Sequence, residues 1–162
     1  MSNYWTKKNV LITGANGFLA SWLVKDLIEN KSNVIALNFE DNPVSIFEFE
    51  KLDQKTELVR GDILDFELIK SLISKHDIDI IFHLGAQAIC NIAMDDPAAI
   101  LDTNIRGTIN ILEAVRQIKP SIGVIVASSD KAYGTHTSLP YGETFALKGE
   151  FSYEVSKSCA DL

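Results

Sequence analysis

The fold is decided by the stretch Val10-Leu11-Ile12-Thr13-Gly14-Ala15-Asn16-Gly17-Phe18-Leu19-Ala20. An apolar run typical of a strand stops at Thr13, a glycine turn follows, and a segment with helical periodicity begins at Phe18. The first N–H groups of a helix lack internal partners, and the helix dipole makes that end positive. Because glycine lets the backbone approach a ligand closely, the spacing Gly14-x-x-Gly17-x-x-Ala20 predicts a pyrophosphate-binding turn. Glycines also serve ordinary turns, so the pattern alone leaves that alternative open.

Length and composition predict one soluble globular domain. The chain has 162 residues, of which 46% are hydrophobic and 23% are charged, and this is enough to bury a core. The net charge of −7 argues against a nucleic-acid partner, although backbone amides can still bind a small anion. No stretch approaches the roughly 18 apolar residues of a membrane span or forms a signal peptide. We expect Cys90 and Cys159 to be buried, reduced thiols and the location to be cytoplasmic.

Strands and helices alternate along the rest of the chain. The predicted strands are 9–13, 33–38, 57–60, 78–83 and 123–128, and the predicted helices are 18–29, 66–75, 97–118 and a last one from about 152. Segment 39–55 contains a short helix or a loop. The expected buried faces comprise Phe18, Leu19, Leu23, Leu27 and Ile28 in the first helix, and Leu101, Ile105, Thr108, Leu112 and Val115 in the long one. Because the strands are too apolar to alternate, we predict a doubly wound parallel α/β sheet with helices on both faces.

Small or polar residues follow every predicted strand, at the edge where such sheets bind ligands. They are Gly14 and Gly17 after the first, Asn38, Glu40 and Asp41 after the second, Asp62 and Ile63 after the third, His83 to Gln87 after the fourth, and Ser128 to Lys131 after the fifth. This distribution favours a ligand site at that edge. We expect His83 to be a polar group positioned near the ligand, and His76 and His136 to be exposed. No residue pattern indicates a metal site.

The last helix carries Tyr153-Glu154-Val155-Ser156-Lys157. A separation of four residues puts Tyr153 and Lys157 on one helical face. A phenol with a pKa of about 10 is a poor base at neutral pH, and a nearby ammonium lowers that pKa. Ser128 or Ser129 can complete the group by hydrogen-bonding a substrate oxygen. A Tyr and a Lys also occur at this spacing by chance, but the glycine turn and the Ser-ended strand favour a catalytic pair.

This combination resembles the extended short-chain dehydrogenase/reductase family, in its nucleotide-sugar branch, from about Lys8 to Leu162. The family's motifs match the glycine turn Thr13 to Phe18, the adenine-edge acid Asp62, and the Tyr153 and Lys157 pair; the segments Phe82 to Gln87 and Thr103 to Thr108 are similar to further signatures. Ser129-Asp130-Lys131-Ala132-Tyr133 and Ser45-Ile46-Phe47-Glu48 are similar to segments of CDP-glucose 4,6-dehydratases. The resemblance implies a Rossmann-type NAD-binding domain over residues 1–162, truncated before the C-terminal substrate domain of a longer protein, which binds a nucleotide-diphosphate sugar and forms a homodimer.

The resemblance also implies a mechanism. Tyr153, as a phenolate held by Lys157, takes the proton of a sugar hydroxyl positioned by Ser129, while C4 gives a hydride to NAD. In a dehydratase, Asp130 then protonates the leaving C6 hydroxyl and Lys131 assists proton removal at C5, before the hydride returns to C6. Because Asp130 favours the ammonium form of Lys131, a solvated or ion-paired Lys131 stays an alternative. An epimerase or reductase and a non-catalytic dinucleotide-binding domain also stay open, and we expect residues 1–162 alone to be inactive.

The cofactor-binding residues that the resemblance implies are Gly14, Asn16, Gly17, Phe18, Leu19, Asn38, Asp62, Ile63, Leu84, Gly85, Ala86, Gln87, Asn104, Ser128, Tyr153 and Lys157. Two positions depart from the family pattern, since Ala20 replaces a glycine and Asn38 stands where an Asp would bind the ribose diol. The sequence shows no arginine near Asn38 to hold a 2′-phosphate, and Glu40 and Asp41 would repel one. We therefore expect NAD rather than NADP.

Overall fold

One parallel sheet forms the centre of the fold in the computed structural model, which describes residues 4–88 and 96–162. Its strands are β1 (Asn9–Thr13), β2 (Asn33–Asn38), β3 (Glu57–Arg60), β4 (Ile80–His83) and β5 (Gly123–Val126), in the order β3-β2-β1-β4-β5. All neighbouring strands pair in parallel. The predicted parallel sheet is confirmed, although β4 begins two residues later and β5 ends two residues earlier than predicted.

The helices follow the predicted order. They are α1 (Phe18–Glu29), α2 (Ile46–Phe49), α3 (Phe66–His76), α4 (Pro97–Leu101), α5 (Gly107–Ile118) and α6 (Ser152–Asp161), with 3₁₀ turns at Leu52–Lys55 and Asp130–Tyr133. The undecided segment 39–55 therefore contains α2 and the first 3₁₀ turn. The predicted helix 97–118 is α4 and α5 joined by a π-helical turn, Asp102–Arg106. It begins where its sequence predicts, because the Asp96 side chain accepts the N–H of Ala99 at 3.0 Å and Pro97 follows it.

Apolar helix layers cover both faces of the sheet. One face joins Leu11, Ile35 and Leu37 to Ile69, Leu72 and Ile73 of α3 and to Ile111, Ala114 and Val115 of α5. The other face joins Val10, Ile12, Val34 and Ala36 to Ala20, Val24 and Leu27 of α1 and to Phe47 of α2. Because side chains alternate along a strand, β1 and β2 supply both layers. The doubly wound α/β fold is confirmed.

The chain divides into two compact units. The first contains the sheet, α1 to α3 and residues 110–118 of α5. The second contains residues 86–88, α4, the π-helical turn, the 3₁₀ turn Asp130–Tyr133 and α6. Within the second unit, α6 packs against α4, the π-helical turn and that 3₁₀ turn. The single domain over 1–162 stays a prediction.

Two predicted helix faces are confirmed only in part. Leu27, Thr108 and Val115 are buried, and Leu23 and Ile28 pack against the core. Phe18 and Leu19 are 88% and 65% exposed, since α1 turns its small residues Ala20 and Ser21 towards the sheet. Leu112 is 45% exposed, whereas Ile111 is buried. The buried face of α5 passes through Thr108, Ile111 and Val115, so Leu112 lies at its edge.

The structure corrects three further predictions of side-chain exposure. Cys159 is exposed, contrary to prediction, because α6 turns the preceding residues Ser156 to Ser158 inward; Cys90 lies outside the described residues. The His76 side chain is only 11% exposed, since it packs beside Glu57 with Nδ1 3.4 Å from Oε2. His136 is only partly exposed, with Nε2 3.1 Å from the Ala146 carbonyl oxygen.

Within residues 4–88 and 96–162, no helix has the length and apolarity to cross a bilayer.

Candidate functional site

The glycine turn between β1 and α1 is fixed by backbone hydrogen bonds. The Gly14 N–H donates to the Leu37 carbonyl at 2.8 Å, and the Gly17 N–H donates to the Gly14 carbonyl at 2.9 Å. Gly14 has φ +64°, a conformation that favours glycine. Gly17 is the N-cap of α1, and no side chain in the described part of the chain caps this helix end. The N–H groups of Phe18 and Leu19 are therefore suited to bind an anionic group.

The loop after β4 lies against this turn. A Cβ added at Gly14 would lie 2.8 Å from the Cα of Gly85, so the two glycines allow the backbones to touch. The Gly85 N–H donates to Thr13 Oγ1 at 2.9 Å, and Nδ1 of the buried His83 lies 2.8 Å from the same oxygen. His83 thus helps to join the carboxyl ends of β1 and β4, while its proximity to a cofactor stays a prediction. Leu84, before Gly85, is half-buried.

Asn16 connects the glycine turn to the loop after β2. The Asn16 N–H donates to Asn38 Oδ1 at 3.0 Å, and Asn16 Nδ2 donates to the Glu40 carbonyl at 2.6 Å. Asn42 Nδ2 donates back to the Asn16 carbonyl at 3.0 Å. One lone pair of Asn38 Oδ1 is thus used by a backbone N–H, while Nδ2 of the same side chain is a donor.

Arg60 lies beside Asn38, and the expectation that no arginine does so is wrong. β2 and β3 pair with Asn38 opposite Arg60, and the Gly61 N–H donates to the Asn38 carbonyl at 2.9 Å. Arg60 Nη2 forms an ion pair with Asp41 Oδ1 at 2.8 Å. The signal that could have revealed it is the order of the strands, because doubly wound sheets place the third strand beside the second.

Asp62 and Ile63 follow β3, where the resemblance expects the adenine. Asp62 Oδ1 accepts the N–H of Leu64 at 2.9 Å and so stabilises the turn before α3. Ile63 is buried, and its carbonyl accepts a hydrogen bond from Asn110 Nδ2 at 2.9 Å. Both residues are therefore held in place at the carboxyl end of β3, and their contact with a cofactor stays a prediction.

In the second unit, Asn104 occupies the π-helical turn, a kind of irregularity that is frequent at functional sites. Its Oδ1 accepts the N–H of Gln87 at 2.8 Å, while Nδ2 donates to the Gln87 carbonyl at 3.1 Å and to Ser156 Oγ at 3.0 Å. Asn104 thus joins the loop containing Ala86 and Gln87 to α6. Since these bonds use both amide protons, the side chain acts on its protein neighbours, and its cofactor contact stays a prediction.

α6 holds Tyr153 and Lys157 one turn apart. Lys157 is 7% exposed, and its Nζ donates to the Ala127 carbonyl at 2.8 Å. Burial lowers the pKa of Lys157 from its ordinary value. Ser156 Oγ donates to the Tyr153 carbonyl at 2.7 Å, and Tyr153 itself is half-buried. The lysine is therefore positioned by protein contacts within this unit.

The Ser129 to Lys131 segment begins the 3₁₀ turn that packs against α6. Ser129 Oγ accepts the N–H of Lys131 and donates to Asp130 Oδ1, each at 3.2 Å. Ser158 Oγ of α6 donates to the Ala132 carbonyl at 2.7 Å, which joins the turn to the helix. The structure thus brings all five predicted catalytic residues into the second unit. Asp130, Lys131 and Ser128 are exposed, as the solvated interpretation of Lys131 expects.

The parallel sheet, the glycine turn and the Tyr-x-x-x-Lys helix define an extended short-chain dehydrogenase/reductase fold of the epimerase and dehydratase class. Within that class, the chain belongs to the family described as GDP-mannose 4,6 dehydratase, whose sequence model matches residues 11–162.

Similar proteins include dehydratases and epimerases. CDP-glucose 4,6-dehydratase of Salmonella typhimurium is 35% identical over 163 residues, which cover 99% of this chain and 45% of that protein. UDP-glucose 4-epimerase from Brucella ovis, in complex with NAD, superposes with a TM-score of 0.82 at 27% identity over 95% of this chain and 46% of its own. dTDP-glucose 4,6-dehydratase from Bacillus anthracis, also in complex with NAD, superposes with a TM-score of 0.79 at 25% identity. The match covers 95% of this chain and 48% of that one. The chain spans about half the length of these relatives.

Proposed function

We propose that this chain is the dinucleotide-binding part of an NAD-dependent nucleotide-sugar 4,6-dehydratase. The observation that carries the proposal is the uncapped N-terminus of α1 at Gly17, in a chain whose relatives include a dehydratase solved with NAD. In this proposal the Phe18 and Leu19 N–H groups hold the diphosphate, Asn38 meets the ribose, and Asp62 and Ile63 meet the adenine. Leu84 to Gln87, Asn104 and Ser128 complete the predicted cofactor contacts.

The glycine turn supports the proposed diphosphate site. A Cβ built at Gly17 contacts, among the described residues, only the Gly14 carbonyl oxygen, at 3.1 Å. Because Gly17 has no side chain to cover the N-terminus of α1, a phosphate can approach the N–H groups there. NAD, when bound, supplies the hydride acceptor for the sugar.

The roles proposed for the chain's own residues follow from their positions. Tyr153 takes the proton of the sugar hydroxyl, and the Lys157 ammonium, held by the Ala127 carbonyl, favours the phenolate. Ser129 positions the same hydroxyl. Asp130 protonates the hydroxyl that leaves C6, and Lys131 assists removal of the C5 proton. Asp130 and Lys131 distinguish this proposal from an epimerase or reductase, which needs Tyr153 and Lys157 but no acid–base pair after Ser129.

Turnover of CDP-glucose by the full-length protein tests the dehydratase assignment. We expect a 4-keto-6-deoxy product from the wild type and its loss in Asp130→Asn and Lys131→Ala. Glu143→Gln and Lys148→Ala are matched controls, since both side chains are exposed in the following loop. Unchanged dehydration in the first two variants would contradict the assignment, and an epimerised sugar would favour the second candidate. The structural similarity to UDP-glucose 4-epimerase supports this second candidate, an epimerase.

A non-catalytic dinucleotide-binding domain is separated from both enzymes by Tyr153→Phe. An enzyme loses turnover in this variant and retains NAD binding, whereas a binding domain has no turnover to lose. Residues 1–162 alone are expected to bind NAD without turnover. Product formed by this piece alone would contradict that expectation.

We also propose that the full-length protein forms a homodimer. Ile109 and Leu112 are 53% and 45% exposed and lie three residues apart on α5, so they share a helix face. Light scattering of the full-length protein should show a dimer, and Leu112→Asp should weaken it. A monomeric wild type would contradict this proposal. The cytoplasmic location and the lack of a nucleic-acid partner stay predictions.

A further inference from the structure

We propose that the ion pair between Asp41 and Arg60 selects a 2′-hydroxyl over a 2′-phosphate on the adenosine ribose of the dinucleotide. The inference rests on the proposed function and adds the residues that determine its coenzyme. In doubly wound folds, the residue about 20 positions after the glycine turn meets the ribose, and a nearby arginine accommodates a 2′-phosphate. Asn38 and Arg60 occupy these two positions.

Asn38 does not discriminate between the two coenzymes by charge. Its Oδ1 accepts the Asn16 N–H at 3.0 Å, which leaves Nδ2 as the donor for a ligand. An amide N–H can bond either a hydroxyl oxygen or a phosphate oxygen, whereas a carboxylate in the same place repels phosphate. Any selection against a 2′-phosphate by charge must therefore come from the groups around Asn38.

Arg60 is the cation at this position. It lies opposite Asn38 in the pairing of β2 with β3, and its side chain is 57% exposed. A guanidinium binds phosphate through two parallel N–H bonds. In this structure Nη2 is bonded to Asp41 at 2.8 Å, so the carboxylate neutralises the charge that a 2′-phosphate would need.

The loop that carries Asp41 is fixed on both sides. The Glu40 carbonyl accepts Asn16 Nδ2 at 2.6 Å, and Asn42 Nδ2 donates to the Asn16 carbonyl at 3.0 Å. These bonds hold the Asp41 backbone beside the glycine turn, where its carboxylate can reach Arg60. Because the Asp41 side chain is 67% exposed, the ion pair contributes little to folding, and variants at this position should fold.

Titration calorimetry with NAD and NADP, on residues 1–162 at low salt, tests the inference. Asp41→Asn should free Arg60 and raise the affinity for NADP relative to NAD by about tenfold. Glu40→Gln removes the same charge from the neighbouring position and should change this ratio far less. The double variant Asp41→Asn with Arg60→Gln should not show this increase in the affinity for NADP. Asp41→Ser provides a second variant, and circular dichroism checks that each variant folds.

The outcomes separate this inference from the proposed function. Selection by the ion pair would be overturned if Asp41→Asn and Glu40→Gln raised the NADP affinity relative to NAD equally, or if the increase persisted without Arg60. Either result would leave dinucleotide binding intact. Binding of neither dinucleotide to the folded wild type would overturn the proposed function, and the inference with it. A wild type that already prefers NADP would also overturn the inference, since Asp41 would then not withhold Arg60.

Discussion

Lys157 donates a hydrogen bond from Nζ to the carbonyl of Ala127 over 2.8 Å, from a side chain that is 7% exposed. Two opposing effects act on this ammonium. Burial disfavours the charged form and lowers the pKa, whereas the bond to a carbonyl favours the charge. The lysine beside Tyr153 is thus held in position at an electrostatic cost, a combination that is typical of functional sites.

The stability of the chain should depend on pH through Lys157. Because its pKa is lowered in the folded chain, the unfolded chain binds more protons between the folded and the ordinary pKa. The free energy of unfolding contributed by Lys157 therefore rises with pH across this window, and it is lowest below the folded pKa. Urea unfolding at a series of pH values above neutrality should show a rise that Lys157→Met lacks.

Lys148→Met is the control for this experiment, since Lys148 is exposed. It should retain the pH dependence of the wild type. The same dependence in Lys157→Met as in the wild type would contradict the assignment to Lys157.

Gly14 and Gly17 should differ in their importance for folding. Gly14→Ala places a side chain at φ +64° and 2.8 Å from the Gly85 Cα, so we expect a loss of about 2–3 kcal/mol in the free energy of unfolding. Gly17 has φ −69°, and its Cβ would lie 3.1 Å from the Gly14 carbonyl oxygen, so alanine there should cost about 1 kcal/mol. Urea denaturation measures both values, and equal losses would show that the approach to Gly85 does not constrain the turn.

Asn104 should contribute more to stability than Ser156. Asn104→Ala leaves the Gln87 N–H and carbonyl without their side-chain partner, and we expect a loss of about 2–3 kcal/mol. Ser156→Ala removes only the bonds to Asn104 and to the Tyr153 carbonyl, at a cost of about 1 kcal/mol. Chemical denaturation compares the two variants. A larger loss in Ser156→Ala would mean that the Gln87 bonds contribute nothing.

The sequence predicted the fold well where the signal was local. The apolar strands, the Gly14 to Gly17 turn and the start of α4 at Asp96 each have a signal in consecutive residues, and the structure confirms them. Arg60 was missed because its nearness to Asn38 depends on which strands pair. The exposure of Leu112 was missed because the spacing of the apolar residues does not show that Ile111, rather than Leu112, faces the core.

In the candidate site, too, local features could be predicted from the sequence and long-range contacts could not. The spacing of Tyr153 and Lys157 places them on one face, but the bond from Lys157 to Ala127 depends on packing that no spacing encodes. Asn104 was expected among the cofactor contacts, and its bonds to Gln87 and Ser156 emerged only with the π-helical turn. Long-range hydrogen bonds of polar side chains, mostly to backbone groups, are therefore the part of the site that the sequence did not indicate.

The most direct test of the central claim, that the N-terminus of α1 binds a dinucleotide diphosphate, is the NAD affinity of folded Gly17→Ala. Calorimetry on residues 1–162 compares it with the wild type and with Gly123→Ala, whose added Cβ would meet only the Ile80 side chain, at an ordinary 3.8 Å. We predict that Gly17→Ala weakens NAD binding by at least about tenfold with little loss of stability, whereas Gly123→Ala leaves the affinity unchanged. Equal affinities in all three folded proteins, or no binding to the wild type, would contradict the account.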